Sequence, residues 1–437
     1  MCLPWCVSHA IGMDRESEQE VPAPPAEPGA GEPELGTSVR RTSSIIERLA
    51  AAATPSDYER RGEFVGTPSF ARGLWRIAAA DASSGNRVAL LRNGPATFSA
   101  MLELIETAEQ TVSLEGYIFR DDEVGKQFAD TLVAAAQRGV KVKLLVDWIG
   151  RLGTPYSFFH AIARSGVEVQ FFNPPGFRRW LGLVPRDHRK LLVVDDRAGV
   201  TGGIGIGREW KTGVLKRRRA PWRDTAVLIE GAAAGDMIQA FDRMWRRASG
   251  KERRGSHRHL TRRARSTHLD PSVHPPALVG IIEGEPGRFR VARALQIQAV
   301  SAERSIWIAS AYFMPSASEV EALTGAARDG VDVRVLVPSR YDHPWIRLAT
   351  RYFYRRLLRN GVRIWEWRGE MMHAKTSVVD GRWTRIGSTD YNPLGIAINF
   401  ELDAVIEDRA LGGQAEAMFL EDLEQSKEIT INMVAAR

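Results

Sequence analysis

The feature that most limits how this 437-residue chain can fold is an internal duplication. Tyr117 matches Tyr312 at an offset of 195 residues, and AAQRGVKVKLLV matches AARDGVDVRVLV at an offset of 191. GVEVQFF, which begins at Gly166, matches GVRIWEW, which begins at Gly361, again at an offset of 195. Nearly constant offsets over several segments indicate two copies of one structural unit in a single chain.

Each copy alternates segments typical of strands with segments typical of helices. The first copy predicts a strand over 112–119, an amphipathic helix over 125–139 and a strand over 140–147. The second copy predicts a strand over 305–313, a helix over 319–330 and a strand over 331–338. Alternation of this kind is typical of α/β folds.

The remaining stretches divide the chain into four regions. Much of 1–60 is rich in Pro, Ala, Gly and Glu and poor in aromatic residues, so we expect a disordered tail there. The stretch 251–276 is basic, contains prolines and lacks apolar periodicity, which is typical of a linker. We therefore expect one half-domain over 61–250 and the other over 277–437.

Composition and charge exclude some classes of protein but do not identify the ligand. There are 60 Lys and Arg against 53 Asp and Glu, a net charge of +7, which favours an anionic partner, either nucleic acid or lipid. The only cysteines, Cys2 and Cys6, exclude a disulfide framework and a cysteine-based zinc site. We find no apolar run long enough to span a bilayer and no signal peptide pattern. We therefore expect a cytoplasmic protein that meets a membrane only from its surface.

One chemical pattern, HxKx4Dx6G[GS], occurs once in each copy with identical internal spacing. Its members are His188, Lys190, Asp195 and Gly203 in the first copy, and His373, Lys375, Asp380 and Ser388 in the second. One occurrence would be a moderate signal. Two occurrences at equivalent points of a duplicated fold indicate a functional site.

The spacing within the pattern predicts different tasks for its members. Side chains two residues apart on a strand point to the same face, so the histidine and lysine of each copy should project together. The aspartate lies five positions after the lysine, an odd number, so it cannot share that face. We therefore interpret Asp195 and Asp380 as supports that end the strand and hold the following turn.

Another carboxylate should then orient each imidazole by fixing its tautomer and raising the basicity of its second nitrogen. Glu401 lies 28 residues after His373, on the next predicted strand. The corresponding place in the first copy is Asp224, which lies 36 residues after His188. These two acids complete the predicted catalytic set.

Over roughly residues 87–425 the chain resembles the phospholipase D superfamily, and more closely its cardiolipin synthases. The segments that carry the resemblance are EGYIFRDDEVGKQFADTL, DHRKLLVVD, PWRDT, AYFMP, MMHAKTSVVDG and NFELDAVIED. The resemblance implies two α/β/α half-domains packed face to face, with one active site at their interface. It also implies phosphatidyl transfer from an anionic phospholipid, with no cofactor and no metal.

By the same resemblance, His188 is the expected nucleophile that forms a phosphohistidine, and His373 is the expected acid for the leaving alkoxide. Lys190 and Lys375 would offset charge on the non-bridging phosphate oxygens. The symmetry of the motifs leaves the reverse order of the histidines open.

Two positions depart from the family pattern, which usually has an asparagine shortly after the glycines. This chain has Gly205 in GGIG and Asp390 in GSTD. We expect Gly203, Ser388 and Asp390 to lie at the phosphate site, where Gly205 removes an amide donor. Asp390 would place a carboxyl group beside an anionic substrate.

Four segments are candidates for contact with an anionic membrane, one of them the basic stretch 251–265 of the linker. The loop 177–183, FRRWLGL, is the strongest because it mixes aromatic residues with arginines, and KRRR at 216–219 adds charge. The basic helix predicted over 343–361 is interpreted mainly as a core-packing helix.

The leading hypothesis is a phosphatidyltransferase that uses phosphatidylglycerol and makes cardiolipin. A second hypothesis is hydrolysis, as a phospholipase D or a nuclease. A third is a catalytically weakened protein that binds anionic lipid or nucleic acid, which Gly205 and Asp390 motivate. The two intact motifs argue against the third hypothesis, and two motifs in one chain favour lipid over nucleic acid.

Overall fold

The computed structural model describes residues 46, 78, 80, 82–174, 185–211, 220–250 and 277–435. The linker 251–276, the loop 177–183 and the KRRR segment lie outside these residues, and so does the proposed tail 1–60 apart from residue 46. The proposed half-domain boundaries therefore remain predictions.

The first half contains seven strands and four helices among its described residues. The strands are β1 (Ala82–Arg92), β2 (Thr111–Gly116), β3 (Lys141–Asp147), β4 (Glu168–Phe172), β5 (Lys190–Val194), β6 (Ala198–Gly202) and β7 (Thr225–Glu230). The helices are α1 (Asn93–Glu106), α2 (Glu123–Gln137), α3 (Tyr156–Arg164) and α4 (Ala232–Ala248). A short 3-10 helix at Arg208–Trp210 precedes β7.

The second half repeats this order and adds two short elements at its end. Its strands are β8 (Ala277–Gly284), β9 (Ser305–Ser310), β10 (Asp332–Pro338), β11 (Arg363–Trp367), β12 (Lys375–Val379), β13 (Trp383–Gly387), β14 (Glu401–Glu407) and β15 (Ser426–Ile429). Its helices are α5 (Arg290–Ser301), α6 (Ala317–Arg328), α7 (Pro344–Arg359), α8 (Arg409–Glu424) and α9 (Ile431–Ala435). A π-helical turn at Leu394–Ile398 precedes β14.

The sheet topology confirms the duplication. The strand order is β15-β11-β10-β9-β12-β13-β14-β8-β1-β7-β6-β5-β2-β3-β4, so the two halves read as mirror images about the β8–β1 boundary. In each half three parallel strands are followed by antiparallel ones, as in β2, β3 and β4 with β5. The predicted α/β class with two duplicated half-domains is therefore confirmed.

Local sequence explains where several helices begin. Asp122 caps α2 by accepting hydrogen bonds from the backbone N–H groups of Val124 and Gly125, at 3.0 and 3.1 Å. Ser316 and Glu319 form a capping box at the start of α6. Both helices begin two residues earlier than the sequence predicted. The reason is that their capping residues lie N-terminal to the first apolar residues of the helical pattern.

The two halves join in two ways. Strand β1 pairs antiparallel with β8, with Ala82 opposite Gly280, so one sheet continues from half to half. Buried side chains from both halves also share one core, including Val193 and Val227 from the first and Val279 and Leu402 from the second. This packing brings the strands that carry the two motifs toward each other.

Candidate functional site

The two histidine–lysine motifs occupy equivalent places at the start of β5 and β12. Lys190 pairs with Gly116 at the carboxyl end of β2, and Lys375 pairs with Ser310 at the carboxyl end of β9. Both motifs therefore lie at the edge of the sheet where the parallel strands end, which is the usual position of ligand sites in α/β folds.

The aspartates hold turns, as the spacing predicted. Asp195 lies just beyond β5 with φ 50°, and Asp380 lies just beyond β12 with φ 55°. Oδ1 of Asp195 accepts the backbone N–H groups of Gln110 and Thr111 at 2.7 and 2.8 Å. Asp380 repeats this contact at the start of β9, where its Oδ1 accepts the N–H of Ser305 at 2.8 Å. Each aspartate thus ties the motif hairpin to the neighbouring parallel strand.

The carboxylates that face the imidazoles come from the opposite halves. Nδ1 of His188 lies 3.1 Å from both carboxylate oxygens of Glu401, and Nδ1 of His373 lies 2.8 Å from Oδ2 of Asp224. The sequence interpretation placed each acid after the histidine of its own half. That pairing is wrong, although both acids belong to the set that was named.

Backbone pairing across the interface explains the exchange. The N–H of His188 donates to the carbonyl of Phe400 at 2.9 Å, and the N–H of His373 donates to the carbonyl of Arg223 at 2.7 Å. Phe400 directly precedes Glu401, and Arg223 directly precedes Asp224. Each histidine is therefore held beside the acid strand of the other half, so neither half contains a complete site.

The lysines lie against the histidines of their own motifs. Nζ of Lys190 donates to the carbonyl of His188 at 2.7 Å, and Nζ of Lys375 donates to the carbonyl of His373 at 2.8 Å. Nζ of Lys375 is also 3.0 Å from Nε2 of His373. Both lysine side chains are buried, which strengthens their electrostatic action on a bound anion.

The residues after each motif are arranged differently in the two halves. A Cβ at Gly203 would lie 2.2 Å from Oδ1 of Asp224, so only glycine leaves room for that carboxylate. Its counterpart Ser388 accepts the backbone N–H of Leu402 at 3.0 Å, and its hydroxyl also hydrogen-bonds the Glu401 carboxyl group. Both residues contact the orienting acids, so their placement at the phosphate itself stays a prediction.

Asp390 occupies the departing position of the second half and is almost completely buried. Its Oδ1 accepts the backbone N–H of Tyr312 at 3.0 Å, and its Oδ2 lies 3.4 Å from Nζ of Lys375. The carboxylate therefore neutralises part of the positive charge that the lysine offers to the site.

Four aromatic rings surround the histidines, and none of them was predicted from the sequence as a site residue. Tyr117 packs edge-on against His188 with ring centroids 4.9 Å apart, and Tyr312 contacts His373 at 6.2 Å. Trp210 and Trp222 also pack on His373, at 5.6 and 5.4 Å. The tyrosines are marked in the sequence by the internal repeat. The tryptophans have no counterpart in the repeat and carried no such signal.

The electrostatic environment of the first histidine disfavours charge in the free enzyme. Burial, assisted by Lys190 and Lys375, lowers the pKa of His188 well below its ordinary value. Burial also raises the pKa of Glu401 to about 8 and lowers the pKa of Lys190 to about 8. His188 is therefore neutral near neutral pH, and Glu401 retains a proton to share with it.

The second histidine is also shifted toward its neutral form, but its acidic partner differs from Glu401. Burial and Lys375 lower the pKa of His373, while Asp224 opposes them. Burial tends to raise the pKa of Asp224, but the charge and hydrogen bond of His373 outweigh it and lower this pKa below its ordinary value. Asp224 is thus an ionised partner for its imidazole, whereas Glu401 is a protonated one.

This difference predicts opposite effects of two substitutions on stability. The folded-state pKa of Glu401, about 8, exceeds its ordinary value of 4.5, so only the unfolded chain releases the proton between these values. The contribution of Glu401 to the unfolding free energy therefore falls as pH rises from about 4.5 to about 8, by at most about 1.4 kcal/mol per pH unit. Glu401→Gln should remove this loss. In chemical denaturation, the unfolding free energy of the variant should therefore rise relative to that of the wild type as pH increases across that window.

Asp224→Asn provides the matched comparison. The lowered pKa of Asp224 gives a stabilisation that is present above its ordinary value of 3.8 and is lost as pH falls through the folded-state pKa. The asparagine variant should therefore be least stable relative to the wild type at neutral pH. A pH-independent difference for both variants would contradict these assignments.

Comparison with known families identifies the family to which the chain belongs. A model described as "Cardiolipin synthase, PLD-like domain" matches residues 101–245 and 296–423, one match in each half. The chain belongs to this family. It is a phospholipase D-type enzyme of the phosphatidyltransferase and phosphodiesterase class.

Named relatives of this cardiolipin synthase-like protein cover most of the chain. Cardiolipin synthase A of Pseudomonas putida is 32% identical over 366 residues, which are 82% of this chain and 73% of the relative. Cardiolipin synthase of Geobacillus sp. (strain WCH70) is 32% identical over 367 residues, 81% of this chain and 69% of the relative.

Two solved structures share the architecture. Phosphatidylserine synthase of Haemophilus influenzae Rd KW20 superimposes with a TM-score of 0.62 at 15% identity, over 84% of this chain and 92% of the other. Polyphosphate kinase of Porphyromonas gingivalis gives 0.53 at 13% identity, over 87% and 54%. At these identities the likeness concerns the fold alone. Within the described ranges, no helix combines the length and apolarity needed to cross a bilayer.

Proposed function

We propose that this protein transfers a phosphatidyl group from phosphatidylglycerol to the glycerol headgroup of a second phosphatidylglycerol, which yields cardiolipin and free glycerol. The observation that carries the proposal is the pair of histidine–carboxylate contacts across the interface, 3.1 Å for His188 with Glu401 and 2.8 Å for His373 with Asp224. One site with two oriented imidazoles suits a double displacement at phosphorus, in which one group attacks and the other handles protons.

In the first step, Nε2 of His188 attacks phosphorus and forms a P–N bond. The bond from phosphorus to the glycerol oxygen breaks, and His373 gives its proton to that oxygen. Since the imidazole of His188 is neutral in the free enzyme, its lone pair is available. Ionised Asp224 stabilises the protonated form of His373 that this step needs.

In the second step, the acceptor alcohol gives its proton to His373 and attacks the phosphohistidine, and the P–N bond breaks. Lys190 and Lys375 flank the two imidazoles and would offset the charge that spreads over the non-bridging oxygens in both steps. Protons and electron pairs balance without a further reactant.

Turnover of radiolabelled phosphatidylglycerol in mixed micelles tests this function. The expected result is cardiolipin together with glycerol, with neither product from His188→Ala or His373→Ala. Phosphatidic acid as the only lipid product would mean that water is the acceptor and that the enzyme is a hydrolase. A nucleic-acid substrate would replace the lipid proposal if no lipid reacts and phosphodiesters of DNA do.

Asp390→Asn is expected to raise kcat/KM for an anionic lipid by about three- to tenfold. The substitution removes a carboxylate that lies 3.4 Å from Nζ of Lys375 and leaves an amide able to contact phosphate. Asp390→Glu keeps the charge and serves as the control, with no gain expected. A lower kcat/KM for the asparagine variant would show instead that the carboxylate is needed to hold the lysine.

We also propose that the enzyme works from an anionic membrane surface, which it contacts through the outer face of α7. The inner face of α7 packs into the protein through Ile346, Thr350 and Leu357, as the sequence predicted for a core helix. The outer face exposes Trp345, Leu348 and Tyr352, at 60, 76 and 81%. This face is continued by three exposed arginines, Arg355, Arg356 and Arg359.

Two features support a lipid surface as the partner of this face. Aromatic and aliphatic side chains beside arginines match the interface of an anionic bilayer, where each basic residue near the surface contributes roughly 1 kcal/mol. The helix also begins near the site, because Tyr312, which packs on His373, donates its hydroxyl to Asp342 at 2.7 Å. The start of α7 therefore lies close to the tyrosine that packs on His373.

Sedimentation with phosphatidylglycerol vesicles tests the surface. Replacing Trp345, Leu348 and Tyr352 together by serine should weaken vesicle binding at least about tenfold, because the apolar area no longer enters the interface. Val300→Ser on α5, where the side chain is 85% exposed, is the control and should bind as the wild type does. Unchanged binding of the triple variant would exclude α7 as the contact.

A further inference from the structure

Gly205 and Trp210 form a steric pair that the family pattern does not lead one to expect. A Cβ at residue 205 would lie 2.9 Å from Cη2 and 3.1 Å from Cζ3 of the Trp210 indole, and 3.1 Å from Cβ of Ile118. The indole therefore occupies the space that a side chain at 205 would need. Trp210 is also completely buried, although it lies on a single 3-10 turn.

The indole does more than fill space, because its N–H reaches the site. Nε1 of Trp210 donates to Oδ2 of Asp224 at 2.9 Å, the same oxygen that faces Nδ1 of His373 at 2.8 Å. Oδ1 of Asp224 accepts the backbone N–H of Thr225 at 2.8 Å. The carboxylate is thus held at both oxygens, with its anionic form favoured by several donors.

We propose that Trp210 is a positioning residue that fixes Asp224 for His373, and that Gly205 is glycine because the indole must pass there. The proposal rests on the transferase function above, in which His373 handles the proton of the leaving and entering alcohols. The missing side chain at 205 then does not weaken the site. The Trp210 indole that fills this space gives the Asp224–His373 pair an additional hydrogen-bond donor.

The other half supports this assignment by contrast. The position equivalent to Gly205 is Asp390, which turns toward Lys375 and the backbone of Tyr312. Glu401 has the hydroxyl of Ser388 beside it but receives no indole N–H among the described contacts. Only the Asp224 side of the site therefore carries the tryptophan, which matches an acid–base task assigned to His373 alone.

Trp210→Phe tests the hydrogen bond, since it removes the N–H and retains an aromatic ring. We expect kcat for phosphatidylglycerol to fall about ten- to hundredfold, the usual effect of deleting a hydrogen bond to a charged group. Trp307→Phe is the matched control, because it removes an indole N–H that donates to a carboxylate, that of Asp332 at 3.1 Å, near the amino ends of the parallel strands and away from the site. This control should lose less than threefold.

A substrate with a better leaving group distinguishes a positioning role of Trp210 from a structural one. A nitrophenyl phosphodiester loses an anion that needs no proton from His373, so Trp210→Phe should lower its initial cleavage by less than threefold. Equal losses for the nitrophenyl and lipid substrates would overturn the proposal. Because this substrate is cleaved whether or not the natural product is cardiolipin, its result stands apart from a failure of the proposed function.

The steric part of the proposal has its own test. Gly205→Asn should reduce kcat at least tenfold in the presence of Trp210, since the asparagine displaces the indole. In the Trp210→Phe background the same substitution should cost less than threefold, because phenylalanine leaves the space near residue 205 open. Equal costs in the two backgrounds would show that residues 205 and 210 do not act as a pair. Circular dichroism of each variant confirms that the comparison concerns folded protein.

Discussion

Alanine in place of His373 or His188 is expected to lower phosphatidyl transfer by about 10⁴-fold or more. The proposed reaction needs one imidazole to bond to phosphorus and the other to move the proton, so neither can replace its partner. The structure places each ring against an acid from the opposite half, Asp224 at 2.8 Å for His373 and Glu401 at 3.1 Å for His188. Initial rates with labelled phosphatidylglycerol measure the loss.

The double variant sharpens this prediction. Residues that act as one unit give non-additive effects, so the double alanine variant should be little worse than either single variant. An equimolar mixture of the two single variants should stay inactive, because each chain contains one complete site built from both halves. Restored activity in the mixture would mean that sites form between chains.

Asp224→Asn should reduce kcat by about 10²- to 10⁴-fold, with a much smaller effect on KM. Asparagine keeps the shape but loses the charge that holds His373 in one tautomer, and comparable losses in histidine–carboxylate enzymes reach about 10⁴. The carboxylate has no exposed surface and accepts from His373, Trp210 and Thr225, so water cannot take its place.

The exchanged pairing makes this prediction specific to one histidine. In nitrogen NMR spectra, Asp224→Asn should lower the pKa of His373 further and leave that of His188 nearly unchanged. Glu401→Gln is the matched variant and should perturb His188 alone. Movement of the His188 signal in the Asp224 variant would indicate that each acid serves its own half, as the sequence alone suggested.

Much of the fold could be predicted because its signals are local. The repeat gave the strands around 112–119 and 305–313, which the structure has as Thr111–Gly116 and Ser305–Ser310. The odd spacing from lysine to aspartate placed Asp195 and Asp380 at turns, where both have positive φ angles. These features depend on strand alternation, which a few neighbouring residues determine.

The pairing of acids with histidines depends on contacts that no local pattern encodes. His188 and Glu401 are 213 residues apart, and the backbone bridge between Asp187 and Phe400 fixes their approach. The bridge forms when two half-sheets dock, so spacing within one half could not reveal it. Trp210 was missed for a related reason, since the sequence between Trp210 and Asp224 includes residues that the second copy lacks.

The departures from asparagine at positions 205 and 390 have different structural consequences. Both were interpreted as weaknesses of the phosphate site. Gly205 makes room for the Trp210 indole, whereas Asp390 lies 3.4 Å from the Lys375 ammonium. The missing side chain at 205 is compensated by Trp210. The Asp390 carboxylate remains as a negative charge beside an anionic substrate. We therefore expect the second half to limit the rate with strongly anionic lipids.

The most direct test of the account is the location of the covalent intermediate. Phosphatidylglycerol labelled in its phosphatidyl group, mixed rapidly with the wild type and quenched in alkali, should leave the label on His188 in peptide mapping. The His188→Ala variant should carry no label at His373. A label on His373, or turnover without any labelled histidine in the wild type, would contradict the proposed division of work between the two halves.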